Sequence, residues 1–183
     1  MAYDIPTYLL DRANIHDTIT TLGHALDAGD KTLLTTKVYA QEIDLDYAAF
    51  FGADGPTHAT SEDWSRTALA AVDGMTATQH IVTSIVAYLP QPSASASERP
   101  GTCKAVANVS ASLVREGARG GALMQNGGHY EFELVRVKEL EEQGQNPWRI
   151  SFHKAVPTWE NGNWAVFSPP NIPPIYPKND KTP

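Results

Sequence analysis

The elements of this chain change character once: helical periodicity comes first and a run of strand-like stretches follows. From Asp11 to Asp27, apolar Ile15, Ile19, Leu22 and Leu26 recur at three- and four-residue spacing, which predicts an amphipathic helix ending near "DAGD". "KTLLTTKVY" reads as a short second helical piece. In "EIDLDYAAF", Ile43, Leu45 and Tyr47 alternate with acidic residues, the pattern of a half-buried strand whose acidic side faces water. "FGADGPTHA" reads as a loop. Thr60 and Asp63 form a capping box for a helix over "SEDWSRTALAAVDG", closed by Gly74. "HIVTSIVAYL", "CKAVANVSASLVR", "GHYEFELVRVKEL" and "WRISFHKAV" then read as successive strands. Such segregation favours an α+β domain with a mainly antiparallel sheet over the alternating pattern of a parallel one.

At 183 residues the chain is long enough for one domain that buries about two thirds of its unfolded surface and can enclose a cavity. We expect that domain over residues 1–168, with a proline-rich tail, "PPNIPPIYPKNDKTP", over 169–183. A net charge of -7 argues against a nucleic-acid partner, whose phosphates favour basic patches. Cys103 is the single cysteine, so an internal disulfide is impossible and a reducing compartment fits. The N-terminal stretch lacks a basic leader, and no stretch approaches the roughly 20 apolar residues of a spanning helix. A cytoplasmic protein without a membrane partner is expected.

No Gly-rich phosphate loop, nucleophile elbow, H-E-x-x-H pair or EF-hand loop occurs, and the six histidines lack ligand spacing, so no metal site is expected. His80 opens a strand at the edge of an apolar run, and an imidazole can exchange protons near neutrality. A structural histidine bonded to a carbonyl is the alternative. Asp27 closes the first helix, where a carboxylate opposes the helix dipole, so a partner for it is expected; an ordinary turn residue is the simpler reading. Tyr47 shares a face with Ile43 and Leu45. Ala105, Ala107, Val109, Ala111 and Leu113 define one face of the following strand, and Arg115 continues it; small residues on an inner face leave space. Tyr130, Phe132 and Leu134 form one face of "HYEFEL", opposite His129, Glu131 and Glu133.

The succession "DRANIHDTITTLGHALDAGD", "LDYAAFFG", "TQH", "GGHYEFELVR", "WRISFHK" and "WENGN" resembles the SnoaL-like group of the nuclear transport factor 2-like superfamily, over roughly residues 10–165. Within the group the nearest likeness is to scytalone dehydratase-like, cofactor-free dehydratases. The resemblance implies a cone-shaped barrel in which a strongly curved sheet wraps around N-terminal helices and encloses an apolar pocket. It implies Asp27, Tyr47 and His80 as catalytic residues, Phe50 and Trp64 as pocket walls, and Leu26 in place of a first pocket tyrosine. Arg115 falls at the position of a second histidine, and with Leu113 is expected to bind substrate. Glu131 and Glu133 stand where the dehydratase has a serine and an asparagine. The implied activity is a dehydratase, isomerase or cyclase without a cofactor, acting on an apolar polyketide or terpenoid of secondary metabolism. A non-catalytic binding or assembly module of the same fold is the alternative, and a third is a subunit like the small one of aromatic-ring dioxygenases. A homo-oligomer, dimer or trimer, is expected.

Overall fold

The computed structural model describes residues 3–51, 55–92 and 98–167. The tail over 169–183, and any role for it as a cover on the pocket, lies outside the described residues. Helix α1 spans Ile5–Ala28, six residues earlier than the apolar periodicity alone predicts. Its start is set by Asp4, whose carboxylate accepts from the Thr7 N–H at 2.9 Å, with Pro6 in the first turn. It stops at Gly29, whose φ of 63° lets the backbone turn left-handed and return its N–H to the Ala25 and Leu26 carbonyls. Ile15, Ile19 and Leu22 are fully buried, so the predicted stripe is the buried one.

The predicted second helical piece is one short turn, α2 (Lys31–Leu33), followed by a π-helical turn over Leu34–Val38. Strand β1 (Tyr39–Asp46) begins directly after it, and α3 (Ala48–Phe51) follows, leaving Tyr47 at the corner between them rather than on the strand. The predicted loop contains a short strand, β2 (Thr57–Thr60). Helix α4 (Ser61–Val72) is capped as expected, Thr60 Oγ1 accepting from the Asp63 N–H at 3.1 Å. The long strands are β3 (Ala77–Ala87), β4 (Thr102–Val114), β5 (Leu123–Arg136) and β6 (Trp148–Gly162), with the short helix α5 (Lys138–Glu142) between the last two. A 3-10 turn over Trp164–Phe167 ends the described chain.

The six strands form one curved open sheet in the order β2-β1-β6-β5-β4-β3. Only the β1–β6 pair is parallel, so the architecture is α+β with a mainly antiparallel sheet. Cys103, Ala105, Ala107, Val109, Ala111 and Leu113 all point inward from β4, as their alternation predicts. On β5 the inner face carries Tyr130, Phe132 and Leu134, leaving Glu131 and Glu133 on the outside, where they pair with Lys154 and Lys104. The β5–β6 register slips by one residue at Ser151: Leu134 pairs with Ile150 but Glu133 with Phe152. Such a bulge reverses which side chains face inward. Ile150 points into the core before it, and His153 and Ala155 after it. Among the described residues no helix is long and apolar enough to cross a membrane.

At one end of the core, α1 is fastened to the sheet by a buried charge. Asp11 is inaccessible to solvent and accepts from Arg136 Nη2 at 2.6 Å, Arg99 Nη2 at 3.0 Å and Trp148 Nε1 at 3.2 Å. Burial alone would raise its carboxyl, but these donors outweigh burial and hold it below the usual carboxylate range. Glu141 from α5 pairs with both arginines, and the Arg136 guanidinium lies 4.5 Å over the Trp148 ring. Removing one member of such a group strands the others. Asp11→Ala is therefore expected to cost about 3–5 kcal/mol in urea unfolding, whereas removing the exposed Lys31–Glu62 pair should cost under about 1 kcal/mol.

Candidate active site

The site begins with a close approach. Where α1 crosses β3, Gly23 lies so near the strand that a Cβ there would sit 2.9 Å from the His80 carbonyl oxygen and 3.3 Å from Val82 Cγ2. The absent side chain lets the helix settle onto the strand beside His80. One turn later the helix delivers Asp27, and both of its carboxylate oxygens meet the same residue. Oδ2 accepts the His80 backbone N–H at 2.8 Å, and Oδ1 lies 2.6 Å from His80 Nδ1. Burial pushes the Asp27 carboxyl up, but the hydrogen bonds from His80 more than offset it and its pKa lies below the ordinary value. An ionised carboxylate can only accept, so a neutral His80 carries its proton on Nδ1 and leaves the Nε2 lone pair free. Sequence position alone left a carbonyl partner open for His80; the partner is the helix-end carboxylate.

His80 opens into a cavity of about 340 Å³. That is within the size range of small-molecule sites. Its roof is α4, which contributes Trp64, Ala68, Ala71 and Val72 at helical spacing, the two alanines leaving room beneath them. Phe50, Leu26 and Phe167 close the sides, and Ala111 and Leu113 form part of the sheet floor. Four of the residues named from the sequence, His80, Tyr47, Phe50 and Trp64, thus meet around one space, with Leu113 at its floor and Asp27 behind the histidine.

Arg115 does not belong to this lining. Its Nε donates to the Val166 carbonyl at 2.6 Å and its Nη2 to the Asp73 carbonyl at 2.8 Å, so it ties the end of α4 to the C-terminal turn. The reason is register: the residue paired with His80 on β4 is Ala111, four positions before Arg115. Glu131 and Glu133 lie on the outer face of the sheet, away from the cavity.

The sequence reading gave no site role to several other polar residues. Tyr39, Tyr130 and Asn126 line the cavity, and His153 lies beneath it. His153 has no solvent exposure and is enclosed by aromatic rings, with centroids at 4.4 Å to Tyr130, 4.8 Å to Phe132 and 5.2 Å to Tyr47. Its Nδ1 is 3.1 Å from the Tyr39 hydroxyl, and the Tyr47 hydroxyl is 3.4 Å from both ring nitrogens. Burial pushes all three phenols up, Tyr130 to about 12, so all three are hydrogen-bonding neutral groups. The signal for Tyr130 was its alternation with Phe132 and Leu134; His153 gave none, because the bulge at Ser151 precedes it. Among the described residues no three His, Cys, Asp or Glu side chains converge where a metal ion could be held.

Burial also drives the His153 imidazole down, to about 3. The unfolded chain, with a histidine near 6.5, binds a proton between these values that the folded chain refuses, so stability falls as pH drops through that window. Between pH 7 and 5 this histidine alone is expected to remove about 2 kcal/mol of stability. His153→Asn, which keeps a polar partner for the phenols and does not titrate, should flatten that part of the pH dependence in denaturant unfolding; an unchanged slope would show that His153 is not the group responsible.

A family model described as a SnoaL-like domain matches residues 7–154. No curated protein matches the sequence. Among solved structures the fold is similar to that of the Kfla4162 protein from Kribbella flavida, at 21% identity and a TM-score of 0.69 over 86% of this chain and 95% of that one. It is also similar to a candidate scytalone dehydratase from Novosphingobium aromaticivorans, at 16% identity and a TM-score of 0.65 over 87% of this chain and 92% of the other. A third is the hexachlorocyclohexane dehydrochlorinase LinA-type3 from Novosphingobium barchaimii, at 12% identity and a TM-score of 0.60 over 85% and 92%. At these identities the likeness concerns the fold. With most of its length matched by the family model and the curved α+β sheet present, the chain belongs to the SnoaL-like family of the nuclear transport factor 2-like superfamily.

Proposed function

We propose that the protein is a cofactor-independent acid–base enzyme of the lyase or isomerase type, which removes a proton from carbon beside a carbonyl group of an apolar small molecule. The observation that carries this reading is the Asp27–His80 pair at 2.6 Å, with Nε2 left to a cavity lined mainly by apolar side chains and phenols. The dehydratase and dehydrochlorinase names of structural neighbours support the same class. A polyketide or terpenoid intermediate of secondary metabolism fits the apolar walls formed by Trp64, Phe50 and Leu113.

In this mechanism neutral His80 takes the proton at Nε2. The imidazolium formed is stabilised by the Asp27 carboxylate, whose effect is strengthened by partial exclusion of water. The C–H electron pair moves toward the carbonyl oxygen, and the charge developing there accepts a hydrogen bond from Tyr47, directly or through a water. The substrate's next step decides the reaction class. If a hydroxyl stands at the neighbouring carbon, the electrons return, the C–O bond breaks and His80 hands its proton to the departing oxygen, which leaves as water. If instead a C=C bond adjoins the carbon that lost its proton, the electron pair is shared along it, His80 returns the proton to the far carbon, and the product is the isomer with the double bond moved into conjugation.

Exchange of a carbon-bound proton for deuterium tests the first step without knowledge of the natural substrate. In D2O the wild-type protein should accelerate exchange beside the carbonyl of apolar cyclic ketones such as 1-tetralone, read by mass spectrometry. His80→Ala should lower that rate by about 100- to 10,000-fold, and Asp27→Ala by about 10- to 100-fold through loss of the orienting partner. Absence of any acceleration by the wild type across such ketones would favour a pocket that binds without turnover.

A further inference from the structure

Asn126 is a polar side chain of the cavity that no described residue claims, as is the indole N–H of Trp64 on the opposite wall. The residue is 7% exposed and lines the cavity, and its amide makes no hydrogen bond to another described residue. An amide that faces the cavity without a partner among the described residues is available to a bound ligand. Its place in the sheet gives that vacancy a direction. His80 pairs with Ala111 on the neighbouring strand, and Ala111 pairs with Asn126 on the next, so the three residues stand in one row on the inner face. At a strand spacing of about 4.8 Å, His80 and Asn126 are about 10 Å apart at the backbone, with only a methyl group between them. After a contact of about 3 Å at each end, about 4 Å is left for the ligand, comparable to the reach from a carbonyl oxygen to a carbon one or a few bonds beyond the carbonyl.

We propose that Asn126 is a specificity-determining residue that donates its amide N–H to a carbonyl oxygen of a neutral ligand lying across Ala111, with His80 at the ligand's other end. The inference rests on the reading of the cavity as the place where His80 meets its substrate. The lining residues include no lysine or arginine among the described residues, and the one carboxylate nearby is already engaged by His80, so the charge balance suits a neutral ligand. His80 cannot serve the carbonyl in its neutral form, because its N–H points at Asp27 and its free nitrogen is an acceptor. In the bound neutral ligand the oxygen must therefore find its donor elsewhere, and the amide in register with the base is placed to supply it, while Tyr47 answers the charge that develops only as the proton leaves.

Equilibrium dialysis with two probes tests this: 1-tetralone, and tetralin, the same bicycle without the carbonyl. The wild type should prefer tetralone by about fivefold or more, the worth of one neutral hydrogen bond. Asn126→Leu and Asn126→Ala should each abolish that preference while holding tetralin within about twofold, which also shows that the pocket is still formed. A preference that survives in both variants would assign the donor to the phenols or the Trp64 indole and overturn the inference, as would a wild type with no preference. His80→Ala separates this result from the catalytic reading. It should leave the tetralone-to-tetralin ratio unchanged, so a protein that shows the Asn126-dependent ratio but no deuterium exchange keeps the anchor and loses the base.

Discussion

The site depends on one carboxylate that spends both of its oxygens on one residue. Asp27 holds the backbone N–H and the ring Nδ1 of His80 together, so strand and side chain are fixed by the same group. That arrangement needs the last turn of α1 to reach β3, and the approach is set a turn earlier by Gly23, where any side chain would meet the strand's backbone. Helix position, tautomer and direction of the free nitrogen are thus consequences of a single contact. The position of Asp27 near a helix C-terminus, unfavourable toward the helix dipole, is offset by two hydrogen bonds from its partner.

Around this pair the polar groups of the cavity are sorted by protonation. His80 has an open acceptor, while Tyr39, Tyr47 and Tyr130 are kept neutral by burial and can donate. His153 lies behind the phenols, and its own burial keeps it uncharged. It can hold a hydroxyl in place without introducing a second charge beneath the pocket. The opposite end of the core contains the contrasting solution, the ionised Asp11 group, where two guanidiniums and the carboxylates of Asp11 and Glu141 compensate one another. One end of the molecule uses charge for fastening, and the other limits it to a single pair beside an apolar space.

Much of the frame was legible in the sequence. The apolar period of α1, the capping signal of α4 and the small residues of β4 each act locally, and each appears where the pattern puts it. The resemblance located His80, Asp27, Tyr47, Phe50 and Trp64 around one cavity because these residues sit near element ends that local signals define. What failed depended on register. Arg115 was expected at the substrate, in the place of a second histidine, but the β3–β4 pairing sets Ala111 beside His80 and carries Arg115 past the cavity. Asn126 was invisible for the same reason, since its place in the row depends on how two hairpins align. Tyr39 stands just after a π-helical turn, a departure from regular geometry that periodicity does not announce.

The bulge at Ser151 has a consequence for how such a pocket can change. Beyond it, His153 faces the core and its neighbour Phe152 the outer surface of the sheet. Pairing of the same residues without the bulge, Ser151 opposite Glu133, would exchange the two, setting a phenyl ring under the phenols and an imidazole on the outside with no residue substituted. The polarity of the pocket floor is therefore a matter of strand pairing as much as of residue identity, and one sequence of side chains presents a different floor with and without the bulge.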